Sequence, residues 1–167
     1  LNFFDSFFKK DNDLEKMNFS LEIGPYTDLE TLPSVKDVYV TMLPGGDYKD
    51  TADKSGDLVK KGFNPVPHFP ARSINNEEEL KEYVSRCKDQ GVKQALVIGG
   101  SRDPIGKFDS SYQILETGFF DGIKIGIAGH PEGSPDIPEQ NLEKAMVDKK
   151  PYADYIVTQW LLDSQPI

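Results

Sequence analysis

The chain has 167 residues, 37% of them hydrophobic and 28% charged, with a net charge of −9 and a pI near 4.7. That length suffices for one domain with a sizeable core, and the acidic balance argues against nucleic acid or an anionic membrane as the main partner, since both demand basic patches. With a single cysteine, Cys87, no internal disulfide framework or cysteine zinc site is possible, so a reducing, cytoplasmic setting is expected.

Phe3, Phe4, Phe7 and Phe8 recur at helical spacing among mixed charges, which predicts a capping helix within residues 1–17 rather than a signal peptide or a membrane-surface segment. No apolar run approaches the roughly 20 residues needed to span a bilayer. Six β-type runs follow, at 18–23, 37–43, 64–69, 93–99, 123–129 and 154–160. Between them, helical spacing places Leu58, Val59 and Phe63 behind Asp57, then Leu80, Tyr83, Val84 and Cys87 behind Glu77 to Glu79. It also places Tyr112, Leu115 and Phe119 behind Asp109, and Leu142, Ala145 and Met146 behind Pro138-Glu139. Gly91 and Gly122 read as helix stops. The crossover from Tyr26 to Val35 is short, and Pro44-Gly45-Gly46-Asp47 reads as a rim loop because it lacks the ending of a phosphate-binding loop.

Strands such as Gln94-Ala-Leu-Val-Ile-Gly99 read as apolar on both faces, the pattern of a covered parallel sheet. Six βα units in 167 residues match the spacing of a (β/α)8 TIM-barrel of about 250 residues. The expected architecture is therefore α/β, with residues 18–167 forming about six units of a barrel whose remaining two are missing. The rival is an open six-stranded α/β sheet. An unclosed wall leaves unpaired strand edges, which a homo-oligomer contact would cover.

Several strands run straight into ionisable or polar groups. Gly126-Ile-Ala-Gly-His-Pro-Glu132, Asn64-Pro-Val-Pro-His68, Phe19-Ser-Leu-Glu22 and Tyr155-Ile-Val-Thr-Gln159 all do so. Parallel α/β folds and barrels build active sites at such strand ends.

Taken in order, Ser20-Leu-Glu22, Val40-Thr41, Pro67-His68, Val97-Ile-Gly-Gly-Ser101, Ala128-Gly-His-Pro-Glu132 and Ile156-Val-Thr-Gln159-Trp-Leu-Leu-Asp163 resemble the strand ends of the methylenetetrahydrofolate reductase family. The resemblance runs from about residue 18 to 163. It implies an oxidoreductase of one-carbon metabolism, with FAD on the C-terminal rim, NAD(P)H as hydride donor and a folate substrate reduced from the methylene to the methyl form. By position, Glu22 would be the catalytic general acid, which works best when its surroundings keep it protonated near neutral pH. Gln159 would hydrogen-bond the pterin, and Thr41, His68, Gly100 and Ser101 would line the flavin. His130 stands where the family usually has tyrosine and would stack on a cofactor face, while Asn141 and Lys144 would approach the flavin phosphates.

Two departures bear on the cofactor. The family's Leu-Arg-Gly-Asp is Ile98-Gly99-Gly100-Ser101 here, so an arginine and an aspartate near the flavin are absent. The second reading is accordingly a flavin-free folate-binding module of a one-carbon transfer or demethylation system. A third is a metal-dependent barrel hydrolase using Glu22, His68, His130 and Glu132, ligand types that suit zinc or iron. Against it, the chain has two histidines in all and no metal-binding histidine motif.

Overall fold

The computed structural model describes residues 19–135 and 137–158. The expected capping helix and Gln159 lie outside the described residues. Six strands, β1 (Leu21–Ile23), β2 (Asp37–Val40), β3 (Asn64–Pro70), β4 (Gln94–Ile98), β5 (Lys124–Gly129) and β6 (Tyr155–Thr158), form one sheet in chain order. Every neighbouring pair is parallel. This order contains no reversal of the kind at which a doubly wound sheet changes direction. Four helices connect the strands: α1 (Tyr48–Lys60), α2 (Glu77–Asp89), α3 (Ser111–Leu115) and α4 (Glu139–Lys149). The β1–β2 connection has only a 3-10 turn, Leu29–Thr31, in keeping with its short length.

Helix starts follow local chemistry. The Asp47 carboxylate accepts from the Lys49 amide at the head of α1, Asn76 accepts from Glu79 at the head of α2, and Ser110 with Gln113 forms a capping box on α3. Two helices depart from the sequence expectation. α1 starts well before Asp57, so Asp47 ends the glycine-rich loop by capping a helix. α3 stops at Leu115, leaving Phe119 packed against the core from the turn beyond it.

Period-two alternation divides each strand between two faces. Val38, Val40, Phe69, Ala95, Val97, Ile125 and Ile127 are 4% exposed or less. Several of them cluster with Leu80, Tyr83 and Val84 of α2. Burying each of the valine, isoleucine and phenylalanine side chains among them contributes about 1.5–3 kcal/mol. The opposite face is more polar than the strands' apolar reading predicted. It carries Glu22, Asp37, Tyr39, Asn64, His68, Gln94 and Tyr155, as the register requires.

The sheet curls around this polar face into a half-barrel. Four strand spacings in a flat sheet would separate β2 from β6 by about 19 Å. The Tyr39 and Tyr155 phenols nonetheless lie close enough for each to influence the other's ionisation.

β3 carries three prolines, and their spacing sets its pairing. The Asn64 amide donates to Lys36 O beside β2 (2.9 Å), so alternate residues 65, 67 and 69 face β4. Pro65 and Pro67 have no N–H to give to β4, and Phe69 is the first donor in that direction. Accordingly, β3 pairs with β2 over Asn64–Pro67 and with β4 only from His68 to Pro70. Side chains join the seam below: Asn64 Nδ2 and Gln94 Nε2 both donate to Asp37 Oδ1.

Candidate functional site

Glu22, Tyr39 and His68 meet on the concave face. Glu22 lies mid-strand in β1 with its side chain 63% exposed, and its Oε2 stands 3.7 Å from Nε2 of His68. The His68 ring meets Tyr39 edge-on, with centroids 6.1 Å apart. Behind it, the Tyr83 hydroxyl of α2 donates to the His68 carbonyl at 2.9 Å, and Phe69 stacks on the Tyr83 ring at 4.0 Å. These contacts fix the strand that presents the imidazole.

His68 is buried, and burial pushes its pKa down from 6.5 to about 4. It is therefore a neutral imidazole at physiological pH, with one ring nitrogen a donor and the other an acceptor. Its Nε2 has no hydrogen-bond partner. A buried polar atom left unpaired costs about 1–3 kcal/mol, and a ligand polar group arriving beside Glu22 would relieve that cost. The Tyr155 hydroxyl is a second buried polar atom on the same concave side that makes no well-formed hydrogen bond, although the Tyr39 phenol lies near enough to help raise its pKa.

Below these groups, Tyr155 packs its ring on Gly126. A Cβ on Gly126 would fall 2.6 Å from the Tyr155 ring, and Lys124 Nζ lies 5.1 Å from the ring centroid. Burial leads the causes that raise the Tyr155 phenol well above its ordinary pKa, so it stays protonated. Tyr39 and Tyr155 thus floor the site. The sequence reading missed both; the alternation Asp37-Val-Tyr39-Val was the one available signal, since it puts Tyr39 on the face opposite the buried valines.

The remaining expected residues lie at the rim. Thr41, just past β2, gives both its amide (2.9 Å) and its hydroxyl (3.2 Å) to Ile23 O, so its side chain ties β2 to β1. Gly100 has φ +89, a conformation that favours glycine, and a Cβ there would lie 3.3 Å from that of Pro70. Ser101 is exposed beyond it. His130 follows β5 directly, half-buried, and its carbonyl accepts from Gly133 N at 2.9 Å. Asn141 and Lys144 are exposed on α4, and Lys144 pairs with Asp148 one turn along the helix.

Glu22 and His68 are therefore brought into one cluster, and no contact among the described residues joins it to Asn141 or Lys144. Among the described residues, no group of three or more His, Cys, Asp or Glu side chains is gathered as a metal site. No helix among them is long and apolar enough to cross a membrane.

No family model matches the chain. Among solved structures, it is similar to the X-ray crystal structure of the YdjI aldolase from Escherichia coli K12, at 9% identity and a TM-score of 0.41. The match covers 75% of this chain and 46% of that one, so the chain spans less than half of the aldolase's length.

Proposed function

We propose that the chain forms part of a (β/α)8 barrel acting as a methylenetetrahydrofolate reductase-like enzyme. In this reading it binds FAD and reduces a folate-borne methylene group with NAD(P)H. The observation that carries the proposal is the Glu22–His68 pair, 3.7 Å apart on the concave face, with His68 Nε2 buried and unpartnered. Both residues occupy the strand positions that the family resemblance assigns to acid and cofactor contact.

The donors and space present are compatible with a flavin. His68 can give or take one hydrogen bond at a ring edge, and Gly99, with nothing within 4 Å of its Cβ position, leaves the end of β4 open. When bound, the flavin would supply the hydride acceptor and donor chemistry that no side chain provides. The chain's own contribution is acid–base and positional. Glu22 gives a proton to the methylene-bearing folate as its ring opens to the iminium form, and His68 orients the group that enters beside it. Tyr39 and Tyr155 bound the depth of entry.

A second reading is a flavin-free folate-binding module. It is favoured by the departures at Gly99 and Ser101, where the expected arginine and aspartate are absent. The absorption spectrum of the purified protein, followed by folate titration, separates the two. Flavin bands that shift on adding folate support the reductase. Folate binding by colourless protein, unchanged by added FAD, supports the module. Absence of folate binding in either form overturns both.

A further inference from the structure

A second recess opens at the rim, between the connections that follow β2, β3 and β4. It encloses about 460 Å³, within the range of small-molecule pockets. Two of its walls are laced together: Ile105 N donates to Arg72 O (3.1 Å) and Lys107 N to Asn75 O (3.1 Å). Between them, Gly106 packs so tightly that a Cβ would fall 2.0 Å from Asn75 O. The recess is thus preformed.

Its polar lining is partly unspent. Ser73 lines the recess although it is only 6% exposed, and its hydroxyl has no hydrogen-bond partner among the described residues. Arg102 is half-buried at the recess and likewise has no carboxylate partner among them. A guanidinium beside a free hydroxyl is a carboxylate receptor.

The charges around it narrow the ligand class. Arg102 and Lys49 are opposed by Asp47 and Glu79 in the same lining. A dianionic phosphate would face two carboxylates, and a simple cation would face two cationic side chains. Tyr48, 8% exposed, also lines the recess, and its ring already holds Lys49 Nζ at 5.6 Å from its centroid. An aromatic face beside carboxylates suits an ammonium or quaternary ammonium group.

We propose that this rim recess binds a small zwitterion, with its carboxylate held by Arg102 and Ser73 and its ammonium or quaternary ammonium end held by Asp47, Glu79 and the Tyr48 ring. The site is separate from the Glu22–His68 pair and does not depend on the function proposed for it.

Calorimetric titration of the full chain tests this, with glycine betaine and glycine as zwitterions and acetate, inorganic phosphate and tetramethylammonium as probes whose charge is of one sign only. At least one zwitterion should bind saturably, about ten-fold or more tighter than each of these probes. Arg102→Gln should weaken it by about ten-fold or more and Ser73→Ala by a few-fold, with thermal unfolding of R102Q unchanged because that guanidinium joins no two elements among the described residues. Glu22→Gln should leave zwitterion binding as it was, which separates failure here from failure at the concave site. Acetate or phosphate binding as tightly as both zwitterions would overturn the proposal, as would R102Q binding like the parent. So would the lack of saturable zwitterion binding up to about 50 mM.

Discussion

Nε2 of His68 and Oε2 of Glu22 face one another across β2 at 3.7 Å, beyond hydrogen-bonding range. The gap keeps a buried nitrogen unpaired in the free protein. It also leaves room for one polar atom of a ligand to touch both residues with little movement of either.

His68 should make folding pH-dependent. Its pKa is depressed in the folded state to about 4, from 6.5, by burial, so the stability it contributes is present in full above about 6.5 and is lost as pH falls through 4. The difference corresponds to about 3 kcal/mol. Urea denaturation at intervals between pH 7 and 4 should show this loss, and His68→Phe should flatten the profile in that window. An unchanged profile in His68→Phe would assign the dependence to other groups.

Glu22→Gln should leave folding intact, because the side chain is 63% exposed. If the chain is the proposed reductase, folate binding should stay near that of the parent while turnover falls about 10²-fold or more. Steady-state kinetics paired with a folate titration reads both quantities. Full turnover in this variant would make Glu22 a bystander.

Ser101→Asp places an acidic group in the exposed loop that follows β4. In a flavin-binding protein, negative charge beside the cofactor should lower its reduction potential and, through a new hydrogen bond, tighten folate binding. Redox titration of the variant against the parent measures the first effect. A potential that does not move would mean that residue 101 stands away from the flavin.

Gly126→Ala should destabilise the fold by about 1–3 kcal/mol through overpacking, because the new methyl carbon falls 2.6 Å from the Tyr155 ring. In a Tyr155→Ala background the same change should cost less. A double-mutant cycle by urea denaturation gives the coupling, and strictly additive effects would refute the contact.

The strands were legible because their apolar runs end on glycine or polar residues; β5 was expected at 123–129 and spans Lys124–Gly129. α1 was misplaced for a physical reason. Its buried face includes Thr51, Ala52, Ser55 and Gly56, small residues that leave little apolar periodicity. Gly56 lies against Gln90, whose own Cβ would stand 3.1 Å from a Cβ built there, so smallness there serves close packing. Glu22 and His68 could be singled out as strand-borne ionisable groups, whereas Tyr39 and Tyr155 meet only because the sheet curls. Their sequence separation hides a contact that three-dimensional closure creates. Lys144 was read as a charge for phosphate, and its partner Asp148 sits at the four-residue spacing that helices use for ion pairs.

The prolines of β3 divide the wall's cooperativity. Because Pro65 and Pro67 cannot donate to β4, backbone pairing between β3 and β4 is confined to the His68–Pro70 half, with Asp37, Asn64 and Gln94 side chains linking the strands' lower ends. Side-chain links are solvated and released more readily than a continuous ladder, so this seam is where sub-global opening should begin. In native-state hydrogen exchange, the Gln94 amide, which points into the seam below the first paired residues, should exchange ahead of the Phe69 amide. The β1–β2–α1 segment would then separate from the rest of the sheet as one exchange unit, with β3 as its boundary.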